Sequence, residues 1–256
     1  MSLAYDDVGR GRALVLLHAF PLSRAMWRPQ REALAGDCRL ITPDLPGFGD
    51  SPLLSSTPSV EAMADAVAGL LDELALREPV LLGGLSMGGY VALAFARRHP
   101  GRLAGLLLAD TRAEADDDAA KANRDKLIGF ASTNPPSAVL EQMLPKLLGP
   151  RTPAERPEVV EEVKRIASAQ RPAGIVAALQ ALRNRPDATP GLGQVRVPAL
   201  VVVGRDDALT PPAFAERLAA GIAGARLVVI EGAGHLANLE RPAEFNAAVR
   251  DFVRGG

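Results

Sequence analysis

Gly84-Leu85-Ser86-Met87-Gly88 sets a serine between glycines in the spacing G-x-S-x-G. Flanking glycines permit a tight turn that lifts the Ser86 hydroxyl above a sheet edge, where it suits nucleophilic attack on a carbonyl. An aliphatic run at 80–83 (VLLG) precedes the turn, and 87–99 follows with a helical pattern that ends in basic residues before Pro100. Strand, turn and helix in that order are what the nucleophilic reading requires. Met87 then opens a helix, where backbone N–H groups without intrahelical acceptors can hold a developing oxyanion. The plainer alternative is a glycine-rich turn whose serine only caps the helix.

A serine needs a base, and the chain has three histidines. His99 stands at a helix end before Pro100, where its charge complements the helix dipole. His18 closes an aliphatic run and opens the loop His18-Ala19-Phe20-Pro21. His235, in Gly232-Ala233-Gly234-His235, follows the last aliphatic run. Sites in open parallel sheets form at the C-terminal ends of strands, which favours His235. The base in turn needs an orienting carboxylate. Asp206 and Asp207 lie in Gly204-Arg205-Asp206-Asp207-Ala208-Leu209-Thr210-Pro211, after one aliphatic run, and Asp110 ends the preceding run. Position alone leaves these three open.

The elements that must carry these residues are legible in outline. Runs at 13–18, 39–42, 80–83, 103–109, 199–203 and 226–230 are continuously aliphatic, as strands buried on both faces of a parallel sheet are. Helical patterns fall between them at 59–76, 87–99, 211–220 and 241–253. The alternation predicts an α/β class with a mostly parallel, doubly wound sheet. From 111 to 190 the rhythm breaks into helical stretches at about 116–132, 137–148, 155–170 and 173–183, punctuated by prolines. Roughly 80 residues exceed an ordinary connection. The strand pattern resumes at Val197 as if uninterrupted. The expected organisation is one core, 1–110 and 191–256, interrupted by a helical cap, 111–190. A separate helical domain is the plainer alternative. Arg254-Gly255-Gly256 reads as a frayed tail.

Composition narrows the partners. The chain has 256 residues, 48% of them hydrophobic and 23% charged, enough for a sizeable core. Its 29 basic and 30 acidic residues give a net charge of -1, with no basic field for nucleic acid or an anionic membrane. No apolar stretch approaches the about 18 residues of a membrane span. The first residues lack the basic-then-apolar pattern of a secretory signal, so the cytoplasm is the expected location. Cys38 is the only cysteine, which excludes an intrachain disulfide and a cysteine-rich zinc site. It reads as a small buried residue beside a strand.

Four motifs in order make the chain resemble the α/β-hydrolase superfamily, of the small esterase, lactonase and cofactor-free haloperoxidase type. His18-Ala19-Phe20-Pro21 is similar to that family's H-G-F-P loop, and Asp44-Leu45-Pro46-Gly47-Phe48-Gly49-Asp50-Ser51 to its D-x-x-G-x-G-x-S loop. Gly84–Gly88 and the pair of loops with Asp207 and Gly234-His235 complete the set. The likeness spans nearly the whole chain and is weakest over 111–190. It implies Ser86 as nucleophile, His235 as base and Asp207 as orienting acid, in the Ser…Asp…His order. It also implies the N–H groups of Phe20 and Met87 as oxyanion donors, with no metal and no cofactor. One residue departs: Ala19 replaces a glycine, at a cost of roughly 1 kcal/mol if that position needs a positive φ.

The expected function is a serine carboxylic-ester hydrolase acting on a small or medium apolar ester. Lactone hydrolysis and perhydrolysis would use the same triad. A non-catalytic hydrolase-fold receptor is the alternative of another class. A small-molecule ester is the expected partner, with homo-oligomerisation left open. Aromatics are only 4% of the chain, so Phe20 and Trp27, near the first loop, are expected to line a pocket with Met87. Leu127, Ile128, Phe130, Met143 and Leu144 are expected to add its cap side, against ordinary helix packing as the plainer role. Other features carry less. Gly232–Ala237 fits G-x-G-x-x-A, but no βαβ unit follows it. Asp116-Asp117-Asp118 reads as the solvated start of a helix rather than a Ca²⁺ site.

Overall fold

The computed structural model describes residues 2–255; Met1 and Gly256 lie outside the described residues. Among the described residues seven strands form one sheet. They are β1 (Tyr5–Val8), β2 (Ala13–Leu17), β3 (Arg39–Pro43), β4 (Val80–Leu85), β5 (Leu103–Ala109), β6 (Ala199–Gly204) and β7 (Arg226–Ile230). Their order is β1-β3-β2-β4-β5-β6-β7. Only β1 runs antiparallel to its neighbour; the other pairs are parallel.

Alternate residues of the inner strands enter two separate apolar clusters. Val15, Leu17, Leu82, Leu106, Leu108, Val201 and Val203 pack on one face, and Leu14, Leu16, Leu81, Leu107, Leu200 and Val202 on the other. Burying each such side chain contributes roughly 1.5–3 kcal/mol. This is why the runs are continuously aliphatic. The unpredicted β1 is an edge strand whose sequence, Tyr5-Asp6-Asp7-Val8, carries no such run. Asp6 and Asp7 instead pair with Arg31 and Arg39, both at 2.7 Å.

The helices are α1 (Arg28–Leu34), α2 (Val60–Glu73) and α3 (Met87–Arg98), then α4 (Asp118–Ala131), α5 (Pro136–Leu147), α6 (Thr152–Glu155), α7 (Pro157–Ser168) and α8 (Pro172–Arg183) between β5 and β6. The last are α9 (Pro212–Gly221), α10 (Ala237–Glu240) and α11 (Pro242–Gly255). Met63 and Leu71 of α2, Val91 and Phe95 of α3 and Leu218 of α9 cover the first face. Leu34 of α1 and Phe245 and Val249 of α11 cover the second. Helices on both faces make the sheet doubly wound, so its strands deliver their C-terminal ends to one rim.

The prolines that read as breaks mostly open helices. Pro136, Pro157 and Pro172 are first helical residues of α5, α7 and α8, where a missing N–H costs nothing. Pro145 lies inside α5. The expected fray is not found at Arg254 and Gly255, since α11 runs through Gly255 and Arg254 pairs with Asp37 at 2.8 Å; its Gly256 part lies outside the described residues. Among the described residues no helix is long and apolar enough to cross a membrane.

Candidate active site

Ser86 occupies the one-residue gap between β4 and α3, with φ 55° and ψ −112°. A positive φ in a non-glycine residue is strained, and such strain gathers at functional sites. Its neighbours show why the turn is this tight. A Cβ on Gly84 would stand 2.1 Å from the Gly88 backbone, and one on Gly88 2.2 Å from the Leu17 carbonyl oxygen. The turn is also tied to its surroundings. The Ser86 N–H donates to the Ala109 carbonyl, and the Thr111 hydroxyl donates to the Ser86 carbonyl, each at 2.9 Å. Ser86 makes no side-chain cap to α3, so the helix-cap alternative fails.

His235 meets the serine across the rim. Its Nε2 lies 2.8 Å from Ser86 Oγ, and its Nδ1 lies 2.8 Å from Asp207 Oδ2. With Nδ1–H donated to Asp207, Nε2 is left to accept the Ser86 proton. Asp207 is fixed from the other side by the N–H groups of Leu209 (2.8 Å) and Thr210 (2.9 Å) and by the Thr210 hydroxyl (2.6 Å). Burial pushes this carboxyl up, but the His235 charge and these hydrogen bonds outweigh it and hold it below the usual range.

His235 Nδ1 takes Asp207 as its carboxylate partner, and the other two aspartates lie in other contacts. The Asp206 N–H donates to the Ala233 carbonyl at 2.8 Å, bracing the loop. Asp110, with φ 44°, accepts from the Gly204 N–H at 2.8 Å through Oδ1, while Oδ2 has no partner among the described residues. Burial first, and the Asp207 charge second, push the Asp110 carboxyl well above the usual range. Among the described residues no hydrogen bond joins it to His235, whose Nδ1 faces Asp207.

Two histidines are structural. The buried His18 accepts from the Leu45 N–H at 2.9 Å through Nε2, and its Nδ1 lies 3.0 Å from the Ala19 carbonyl. Burial lowers its pKa. His99 pairs with Asp65 at 2.8 Å. The His18 ring packs edge-on against Phe48 (5.0 Å), which also meets Phe20 (6.2 Å). The loop with Asp44 therefore supports Phe20 from behind and contributes nothing to the cavity lining. Ala19 is not at positive φ, so the conditional strain does not arise. Among the described residues the N–H groups of Phe20 and Met87 have no backbone acceptor.

Above Ser86 and His235 lies a cavity of about 710 Å³, roofed by α4 and α5. Phe20, Leu127, Phe130 and Met143 line it, as expected, together with Leu182 and Leu209. Trp27 does not, and this corrects the expectation. It is fully buried in the cluster on the second sheet face, 6.0 Å from the Phe245 ring of α11. A short 3-10 turn at Arg24–Trp27 carries it there. The Met87 side chain is also core, and Ile128 and Leu144 pack against the apolar clusters.

Sequence reasoning missed the polar half of the lining: Tyr90, Arg112, Asp116, Arg124, Lys126 and Lys146. Asp116 corrects a second expectation. Asp117 caps α4, accepting from the Ala120 N–H at 2.7 Å, and Asp118 lies in its first turn. Asp116 is instead buried against three guanidiniums, Arg112 (2.6 Å), Arg124 (2.5 Å) and Arg185 (2.8 Å). Burial opposes its charge, but these partners hold the carboxyl at about 2. Arg185 also stacks over Tyr90, 4.2 Å from the ring centre. A second cavity of about 450 Å³ shares Tyr90 and Arg112 but touches neither Ser86 nor His235.

Glu240 was missed too. Its carboxylate accepts from the N–H groups of Gly234 (2.9 Å) and Gly149 (2.7 Å) and from the Thr152 hydroxyl. It thus joins the His235 loop to the segment between α5 and α6. Burial raises its pKa against these bonds. Cys38 is buried, and burial followed by the Asp37 charge pushes its thiol up to about 11, so it offers no thiolate. Among the described residues no cluster of three or more His, Cys, Asp or Glu side chains could hold a metal.

The model of the Alpha/beta hydrolase family matches residues 14–248. The pimeloyl-[acyl-carrier protein] methyl ester esterase of Neisseria meningitidis serogroup A is 33% identical over 95% of this chain and 77% of its own. A thermophilic esterase from Thermogutta terrifontis, solved with malate bound, superposes with a TM-score of 0.96. It is 43% identical over 99% of this chain and 93% of its own. The enol-lactonase from Burkholderia xenovorans LB400 has a TM-score of 0.91 at 29% identity, covering 98% of this chain and 96% of its own.

Proposed function

The chain belongs to the α/β-hydrolase family and acts on ester bonds, and from that premise we propose that it is a serine carboxylic-ester hydrolase working through an acyl-enzyme. The observation that carries the reading is the continuous hydrogen-bond chain from Ser86 Oγ through His235 to Asp207, with both links at 2.8 Å. His235 Nε2 takes the Ser86 proton as Oγ attacks the ester carbonyl. The oxyanion is held by the N–H groups of Phe20 and Met87. His235 returns the proton to the leaving alcohol, and water then repeats the sequence on the acyl-enzyme. Asp207 keeps Nδ1 protonated and stabilises the imidazolium. The helices between β5 and β6 serve as a cap, and Phe20, Leu127, Phe130 and Met143 hold the apolar part of a small or medium ester.

Lactone hydrolysis is a second reading, favoured by the structural likeness to an enol-lactonase. It needs no change in the machinery, because a lactone is an ester whose leaving alcohol stays attached. The test is Ser86→Ala with p-nitrophenyl acetate and a short lactone. A fall in kcat on the order of 10⁵–10⁶-fold is expected, with loss of covalent labelling by a serine-directed phosphonate. Unchanged turnover overturns the assignment.

A further inference from the structure

The cavity above Ser86 is divided in character. Phe20, Leu127, Phe130 and Met143 give it an apolar wall. Arg112, Arg124, Lys126 and Lys146 give it four cations against a single lining carboxylate, Asp116. The cavity is therefore net positive by three charges with His235 neutral, in a chain whose net charge is -1.

That excess is not cancelled locally. Asp116 is already bonded to Arg112, Arg124 and Arg185. Asp125 of α4 is engaged by Arg183. Lys126 and Lys146 are exposed, and among the described residues neither has an ion-pair or hydrogen-bond partner. An unpaired surface lysine is ordinarily just a solvated charge. These two differ in place: they project from α4 and α5, the roof helices, and border the same cavity as Ser86 and His235. A cleft lined by one sign of charge concentrates and steers ligands of the opposite sign.

We propose that the preferred ester carries a carboxylate, separated from the scissile carbonyl by an apolar chain, and that Lys126 and Lys146 receive that carboxylate. The proposal rests on the ester-hydrolase reading and narrows its substrate class from apolar to amphipathic. The apolar chain lies along Phe130 and Met143 of the same cavity. Arg112 and Arg124, fixed by Asp116, add a positive background.

The test compares matched esters at low ionic strength. One arm sets monomethyl against dimethyl esters of straight-chain dicarboxylic acids, which places the anion on the acyl side. The other sets acetates of ω-hydroxy acids against acetates of the matching neutral alcohols, which places it on the alcohol side. In at least one arm the anionic ester is expected to lead by roughly tenfold or more in kcat/KM, carried mainly by KM. That lead should shrink as salt is raised. It should collapse toward one in the Lys126→Ala/Lys146→Ala double variant and persist in Lys126→Arg/Lys146→Arg. No lead in either arm overturns the proposal, and so does a lead that survives the double alanine variant. Hydrolysis of the dimethyl ester that disappears in Ser86→Ala upholds the underlying reading whichever way the ratio falls.

Discussion

The floor and the roof of the cavity are built on different principles. The floor comes from single residues at strand ends: Ser86 after β4, Asp207 after β6 and His235 after β7. Each is held by backbone donors or by a turn that admits no side chain at its neighbours, so its freedom is small. The roof comes from side chains of α4 and α5 and is organised around one buried ion cluster at Asp116. Backbone geometry fixes the floor; the roof adds an ion cluster to its apolar packing. The difference assigns separable tasks. A change in the floor should alter the rate for every ester alike, and a change in the roof should alter stability or the choice among esters.

Among the three aspartate variants that test this comparison, Asp207→Asn gives the largest effect. Asp207 gathers two backbone N–H groups, the Thr210 hydroxyl and His235 Nδ1. An amide removes the charge that stabilises the imidazolium and the acceptor that fixes its tautomer. The expected fall in kcat is roughly 10⁴-fold, by the same factor for short, long, neutral and anionic esters. Steady-state kinetics across such a panel check it. A factor that varies strongly with the substrate would dissolve the division between floor and roof.

The same division explains what the sequence made legible. Ser86 and His235 were visible because tight backbone turns demand glycine, and glycine leaves a spacing that can be read. The aliphatic runs were visible because burial on both faces suppresses alternation. The choice among Asp110, Asp206 and Asp207 was not settled by position, since all three follow strands. What singles out Asp207 is its contact with His235 Nδ1, 28 residues on in the chain. Trp27 misled because nearness in sequence to the Phe20 loop is not nearness in space. The Asp116 cluster joins residues before α4, within α4 and after α8, for which no local spacing exists. Glu240 was hidden for a similar reason, because the Gly149 side of its bond lies across the fold.

Asp116→Asn tests the roof. The folded carboxyl sits at about 2, against about 3.9 for an unfolded aspartate. A depressed value means stabilisation that is present above the unfolded pKa and lost as pH falls through the folded one. At pH 7 the variant should lose at most about 2.6 kcal/mol, at 1.36 kcal/mol per pKa unit, and less once solvent screening is counted, measured by denaturant unfolding. The two proteins should converge between about pH 4 and pH 2. The floor should still turn over whatever remains folded, so kcat per folded molecule should change far less than in Asp207→Asn. A variant with full stability at neutral pH would show that the cluster does not hold the roof.

Asp110→Asn gives the smallest effect and the opposite sign. Asp110 follows β5, one strand away from Asp207, with one oxygen bonded to the Gly204 N–H and the other without a partner among the described residues. Burial and the Asp207 charge raise its folded pKa. A raised carboxyl contributes stability that is full below the unfolded pKa of about 4 and is lost as pH rises toward the folded value. Asparagine carries no such loss. It can accept from Gly204 through its oxygen, and it tolerates the positive φ of this position better than most residues. The variant should therefore melt progressively higher than the parent as pH rises above about 4, until the folded pKa is passed. Its activity should stay near that of the parent, because no hydrogen bond joins Asp110 to His235. Melting curves at a series of pH values decide the matter. A constant offset with pH would mean that Asp110 is ionised in the fold, and two charged carboxylates would then lie under the base.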